Sequence, residues 1–361
     1  MFSKEDYRLP AEWEPQSGVQ LTWPHALTDW APMLQEITTT YCEMAREISK
    51  REPLLIVAPE GTPLPFTLHH SPFTTPTNDT WARDHGFITL VPRHPSPVTP
   101  HPSPLLLDFQ FNGWGCKFPA ELDNAINRHL YDEGLVSGQY VDCLDFVLEG
   151  GSIESDGQGT IFTTTSCLMA PHRNQPLTKE QIESELKRRL CAERVVWINH
   201  GHLVGDDTDG HIDTLVRICP DDTLLYITCD DPADEQYEDL RLMAEELRQL
   251  RTLDGRPYRL LPLPSPRPIY ENVQCSTFRS AEGRLLPTGR KNVQRLPATY
   301  ANFLVINGAV LVPTYAQPDL DREACRIIGQ AFPDREIVPI DSRSIIRQHG
   351  SIHCCTMQFP A

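Results

Sequence analysis

Short apolar runs alternate along this chain with stretches in which apolar residues return every third or fourth position. The run 18–24 (GVQLTWP) predicts a strand. From about Pro32, residues Leu34, Ile37, Tyr41, Met44 and Ile48 line one face of a predicted helix, and 53–57 (PLLIV) predicts a buried strand. The order then returns. Segments 84–90 and 105–109 read as strands ahead of a helix with Leu122, Ile126 and Leu130 on its inner side. Segments 146–152 and 160–164 precede a helix opened by Thr178, where Gln181 completes a capping box and Ile182, Leu186 and Leu190 form the inner stripe. The strand 194–198 (RVVWI) closes that unit, and 211–218 and 224–228 precede a helix near 233–251. Segments 302–306 and 309–312 flank Asn307-Gly308, the best short hairpin signal, followed by a helix near 319–331 and a strand at 335–340.

Such repetition predicts about five ββαβ-like modules in a radial or stacked α/β architecture rather than one doubly wound sheet. No Gly/Ser linker or charge block divides the chain, so residues 1–361 are expected to form a single domain. Two segments break the pattern. The Pro-rich stretch 92–104 (PRHPSPVTPHPSP) predicts a stiff surface loop. The long stretch 262–297 carries Arg267, Arg279, Arg284, Arg290, Lys291 and Arg295, and reads either as a lid or as a plain surface excursion.

Composition narrows the classes. The 32 basic and 49 acidic residues leave a net charge of −17, which argues against nucleic acid and anionic membranes and favours a cationic ligand. No apolar run is long enough to span a bilayer, and the start (MFSKEDYRLPAEWEP) has neither a basic n-region nor an apolar h-region. The 11 cysteines lack framework spacing, which predicts reduced thiols in a cytoplasm.

Polar residues cluster where apolar strands are expected to end: Trp81 to Gly86 (WARDHG), Phe146 to Gly151 (FVLEGG), Gly205 to Asp213 (GDDTDGHID) and His349 to Gln358 (HGSIHCCTMQ). One Cys, one His and several carboxylates are what thiol attack on a guanidinium carbon needs. Carboxylates match the fork of the cation bidentately, a thiolate attacks above its plane, and a His protonates the departing ammonia. The thiolate would be favoured by an imidazolium and by the substrate's own charge, and no metal or organic cofactor is required. Blander readings stand beside this one. Cys354, on an expected strand beside His353, could simply be packed; Glu149 could be an edge charge, Asp84 a partner of Arg83, and 206–213 an Asx-rich turn. Metal ligands are available in His69-His70, His200-Gly-His202, His211-Ile-Asp213 and His353-Cys354-Cys355, without a strong spacing motif, so a metal-dependent hydrolase remains an alternative, as does a non-catalytic binding module.

Taken in order, Leu21 to Pro24 (LTWP), Asp79 to Asp84 (DTWARD), Phe111 to Gly115 (FNGWG), Phe146 to Gly151, Asp207 to Asp213 (DTDGHID), Tyr300 to Phe303 (YANF) and Ile352 to Cys354 (IHC) resemble the agmatine deiminase family, relatives of the bacterial peptidylarginine deiminases. The resemblance implies the pentein-type, five-module pseudo-symmetric α/β-propeller of guanidine-modifying enzymes. It implies Cys354 as nucleophile forming an amidino-thioether, His211 as general acid and base, and Glu149 orienting that His. It further implies Asp84 and Asp213 as guanidinium carboxylates, Trp81 as a wall for the carbon chain, and Asp207 and Asn302 as further substrate contacts. Cys355 is expected to face away and pack. The implied partner is a small cationic guanidine, agmatine first, with peptidyl-arginine or free arginine as alternatives; a homo-oligomer stays open. The chain departs from the commonest family pattern at Trp197 to Gly201 (WINHG), at His349 to Cys354 (HGSIHC) and at Asp29-Trp30-Ala31, which leaves the chemistry intact and bears on the substrate's tail.

Overall fold

The computed structural model describes residues 3–65, 72–93, 103–273 and 292–361. Within them each module has one order: an antiparallel pair, a helix, and a third strand parallel to the second. Ile88–Pro92 pairs antiparallel with Leu105–Gln110, Ile126–Asp132 crosses over, and Gln139–Val147 returns parallel. Glu154–Ser155, Thr160–Thr164, the helix Lys179–Arg189 and Arg194–Ile198 repeat that order. So do Val216–Cys219, Thr223–Ile227, Tyr237–Gln249 and Arg259–Leu263, and Leu304–Ile306, Ala309–Thr314, Pro318–Ala331 and Glu336–Asp341. A parallel return requires a crossover, so each helix falls between second and third strands.

The first module is completed from the far end of the chain. Thr356–Pro360 pairs antiparallel with Gln16–Thr22, ahead of the helix Leu34–Ser49 and the parallel strand Leu54–Ala58. The ring of five is thereby closed, and the module that lacked an opening strand in the sequence obtains it from the C-terminal segment.

The apolar stripes do what their spacing predicts. Ile37, Tyr41, Met44 and Ile48 are fully buried against the first sheet, and Ile182, Leu186 and Leu190 against the third. Each such burial contributes roughly 1.5–3 kcal/mol. The Thr178 capping box forms, with the Thr178 amide donating to Gln181 Oε1 at 2.8 Å and the Gln181 amide to Thr178 Oγ1 at 3.4 Å. Leu122 is a correction: it lies in the separate turn Glu121–Asn124 and is exposed, whereas Ile126 and Leu130 are buried.

A larger correction concerns the strand starts. Residues 84, 146–152, 211–214, 302–303 and 354 were expected on strands, but Asp84 lies in the helical turn Ala82–His85 and Asp213 in the turn Ile212–Thr214. Phe146 and Val147 end the strand Gln139–Val147, and Gly150–Ser152 form a turn. Asn302 precedes its strand by two residues, and Cys354 sits in the turn before Thr356–Pro360. Apolar residues such as Phe87 and Ile352 pack on the core through these turns, which made the runs look like longer strands.

The stretch 262–297 contains an antiparallel ribbon, Tyr270–Val273 with Asn292–Arg295. Arg279, Arg284, Arg290 and Lys291, like His69, His70 and most of the Pro-rich loop, lie outside the described residues. Among the described residues no helix is long and apolar enough to cross a membrane.

Candidate active site

The turns that lead into the five opening strands meet one another. The Arg83 amide donates to the Cys354 carbonyl at 3.2 Å. Asp84 Oδ1 accepts from the Gly151 amide at 3.0 Å and Oδ2 from Trp114 Nε1 at 3.0 Å. A side chain at position 151 would put its Cβ 2.6 Å from His211 Nδ1 and 2.9 Å from Asp84 Oδ1, so only glycine lets these turns approach. Arg83 is not the partner of Asp84; its guanidinium binds Gln358 and the His353 carbonyl.

His211 is fully buried. Its Nδ1 lies 3.7 Å from Asp84 Oδ1 and its Nε2 3.9 Å from Glu149 Oε2, and neither nitrogen has a hydrogen-bond partner. Burial opposes charge on the ring, yet Asp84, Cys167 and Glu149 together hold its pKa well above the ordinary imidazole range. Burial likewise opposes ionisation of Glu149, but His211 and Arg173 hold its carboxyl below the ordinary range. Arg173 Nε donates to Glu149 Oε1 at 2.8 Å, Nη1 to Asp209 Oδ2 at 2.6 Å and Nη2 to the Thr208 carbonyl at 2.9 Å, which ties Glu149 to the acidic loop before His211.

Cys354 is 4% exposed. Asn302 Oδ1 accepts from the Cys354 amide at 3.3 Å, from Sγ at 3.4 Å and from the His353 amide at 3.0 Å. Asn302 therefore stands beneath the turn that presents the thiol. Burial, then the carboxylates of Asp213 and Asp84, push the Cys354 thiol well above its ordinary pKa. Both effects favour the protonated thiol in the free protein. The sequence reading has an imidazolium favouring the thiolate, and the structure adds burial and two carboxylates that act against it. Burial also pushes Asp84 up to about 6, while His211 opposes the rise and Asp213 and Glu149 add to it. Asp213 Oδ2 is 2.7 Å from His353 Nδ1, and Oδ1 is buried without a partner.

The thiol forms part of the wall of a cleft enclosing about 650 Å³, together with Asp29, Asp79, Trp81, Asp84, Trp114 and Asp207. Its aromatic walls are braced edge to face, with Trp81 and Trp114 ring centres 6.3 Å apart. Gly350 lies flat against Trp81; a Cβ there would fall 2.1 Å from the ring. Burial pushes Asp207 up to about 6, opposed by His349. A second cavity, of about 670 Å³, borders Glu12, Arg83, Glu154 and His353 and has no thiol on its wall.

Cys354, Asp84, Trp81 and Asp207 share the cleft wall, whereas His211, Glu149 and Asp213 do not line it and are buried beside Asp84 and Gly151. Cys355 packs beside Tyr41 in the core, as expected. Asp29, Asp79 and Arg173 were not singled out by the sequence reading as site residues. Arg173 has no local signal, since its partners lie 24 and 36 positions away. Among the described residues, two groups bring possible metal-ligand atoms within 4.8 Å of one another: Glu149, Cys167 and His211, and Glu12, Glu154 and His353. Each already contains a buried guanidinium partner, Arg173 in the first and Arg217 in the second, which supplies the positive charge a cation would bring. His200 is part-exposed and pairs with Asp239 at 3.4 Å, away from the thiol cleft.

Comparison with known proteins agrees with this geometry. The Porphyromonas-type peptidyl-arginine deiminase family model matches residues 8–360. An agmatine deiminase from Medicago truncatula is 32% identical over 371 residues, covering 98% of this chain and 96% of the relative. A crystal structure from Porphyromonas gingivalis, provisionally described as an arginine deiminase, is 46% identical with a TM-score of 0.82 and 98% coverage of both chains. A Cys→Ser variant of C. jejuni agmatine deiminase with substrate bound is 34% identical with a TM-score of 0.83, covering 98% of this chain and 96% of that one. The fold is the α/β-propeller of the guanidine-modifying enzymes. Matched over nearly its whole length by one family model and by relatives that share its modules, the chain belongs to the Porphyromonas-type peptidyl-arginine deiminase family.

Proposed function

We propose that this protein deiminates agmatine, giving N-carbamoylputrescine and ammonia through an amidino-thioether on Cys354. The observation that carries the reading is the composition of the cleft: a thiol beside a carboxylate and two tryptophans, further acids in Asp29, Asp79 and Asp207, and no Lys or Arg among its described lining residues. Agmatine bears a second cation at the end of its chain, which an acidic wall suits. Free arginine carries a carboxylate there and peptidyl-arginine a neutral backbone. Lys117 is engaged by the Asp207 carbonyl and by Asp209. Of the basic residues in 262–297, Arg267 pairs with Asp319 and Arg295 with Asp234, so neither is free to bind a substrate carboxylate.

In this reading Asp84 and the free oxygen of Asp213 grip the planar guanidinium, and Trp81 flanks the methylene chain. The cation's charge offsets the two carboxylates that hold the thiol protonated, so the thiol releases its proton to solvent as substrate binds, and the sulfur regains one when the S–C bond later breaks. The sulfur attacks the guanidinium carbon, and a tetrahedral adduct forms. His211 gives its proton to the departing nitrogen, ammonia leaves, and the S–C bond persists in the amidino-thioether. Now neutral, His211 takes a proton from water as that water attacks the same carbon; the S–C bond breaks and the ureido product departs. Glu149, braced by Arg173, stabilises the imidazolium before the first step and again after the second. Asn302 holds the turn that presents the sulfur. The ten described cysteines are all free thiols, which supports a reducing, cytoplasmic setting.

Ammonia release from agmatine, free arginine and a peptidyl-arginine tests the substrate. Turnover of agmatine well above the others is expected; an inert agmatine with active peptidyl-arginine overturns the assignment. The thiol's state has its own test. Because the neutral form dominates in the free enzyme and only the thiolate alkylates, iodoacetamide labelling of Cys354 should be slow near neutrality and rise with pH to beyond 9. A rate already level at pH 7 would show a preformed thiolate.

A further inference from the structure

His353 is adjacent to the proposed nucleophile, fully enclosed, and absent from the roles assigned above. Its ring is the only side-chain hydrogen-bond partner that the described residues give Asp213: Nδ1 lies 2.7 Å from Asp213 Oδ2, while Asp213 Oδ1 is buried with no partner. On the other side, His353 Nε2 lies 3.0 Å from Glu12 Oε2. Glu12 is itself fixed, its Oε1 accepting from the Val305 amide at 2.8 Å and from Gln358 Nε2 at 2.8 Å, and its Oε2 paired with Arg217. Arg217 in turn donates to Glu154 Oε1 at 2.6 Å.

A carboxylate bound through neither oxygen rotates, and each orientation presents a different lone pair to the ligand. Here one oxygen is occupied by His353 and the other is left without a partner. We propose that His353 is a positioning residue, which orients Asp213 toward the guanidinium through its Nδ1 hydrogen bond, with Glu12 and the Arg217–Glu154 pair lying on the other side of its ring. The proposal rests on Asp213 being a guanidinium carboxylate. It also explains why Glu12, from the segment just ahead of the strand Gln16–Thr22, reaches a residue 341 positions away. The N-terminal segment and the last turn are joined at the point where the site needs a rigid back. Burial opposes ionisation of Asp213, and the His353 hydrogen bond together with the His211 and Arg217 charges holds its carboxyl below the ordinary range, as a group that must be negative before the cation arrives.

A merely structural role would have His353 fill the space beside Glu12, with Asp213 incidental. Two amides separate these. In His353→Asn the side-chain nitrogen replaces Nδ1 and keeps the Asp213 contact while losing Glu12. In His353→Gln it replaces Nε2 and keeps Glu12 while losing Asp213. His353→Asn should stay within about threefold of the native kcat/KM for agmatine, and His353→Gln should lose about 30-fold, mostly through KM. Melting temperatures of both variants establish that each is folded. The opposite order, or equal effects in the two, overturns the proposal. Asp213→Asn is measured alongside and should raise KM about 100-fold or more. A native KM there would remove Asp213 from the guanidinium site and the proposal with it. A high KM there, with the His353 order reversed, would remove the proposal alone.

Discussion

Cys354→Ser should lower kcat for agmatine by at least about 10⁴-fold while leaving agmatine affinity within about threefold of native. The sulfur makes one polar side-chain contact, 3.4 Å to Asn302 Oδ1, and a serine hydroxyl reproduces it. Neither Asp84 nor Asp213 is held by the thiol, since Asp84 is fixed by Trp114 and Gly151 and Asp213 by His353. The cation grip therefore survives, and the chemistry does not, because a serine hydroxyl in a pocket of carboxylates is far harder to ionise than a thiol. Equilibrium binding measured by calorimetry, beside single-turnover ammonia release, separates the two quantities. Retained turnover in the variant would move the attack to water and revive the metal-dependent reading; weakened binding with retained rate would make the cysteine a packing residue.

His211→Gln should lower kcat about 10³-fold with little change in KM. Gln keeps the volume between Asp84 and Glu149 but cannot pass a proton from one step to the next. Gln also removes the buried positive charge that faces Asp84 at 3.7 Å and Glu149 at 3.9 Å, so a lower melting temperature should accompany the loss of rate. Should kcat fall by only a fewfold, the proton must come from elsewhere, and the departing nitrogen would take it from solvent. Should KM rise in step with the fall in kcat, His211 would be a binding group.

Much of this architecture was legible before any coordinate, for a physical reason. Each module buries one helix stripe against one sheet, so Ile37, Tyr41, Met44 and Ile48, or Ile182, Leu186 and Leu190, carry the period of their element in plain view. The site residues were legible as clusters of Cys, His and acid beside glycine. What stayed hidden depends on distance along the chain. The opening strand of the first module is the last strand of all, and no local pattern ties 356–360 to 16–22. Arg173, Glu12 and His353 act through partners far away in sequence, and single polar residues leave no periodic trace. The polar segments were misread as strand interiors because Phe87, Ile212 and Ile352 are as apolar as any strand residue; they pack tight turns onto the core. The thiol's raised pKa was also out of reach of the sequence, since it follows from burial and from two carboxylates brought in by other modules.

The proposed reaction joins one sulfur, that of Cys354, covalently to the substrate's guanidinium carbon. Acid quenching during turnover with saturating agmatine, followed by peptide mass spectrometry, tests this most directly. The peptide holding Cys354 should carry the mass of agmatine less ammonia, with the remaining cysteines unmodified. That mass on any other cysteine, or a stoichiometric burst of ammonia with no thiol modified, would contradict the account.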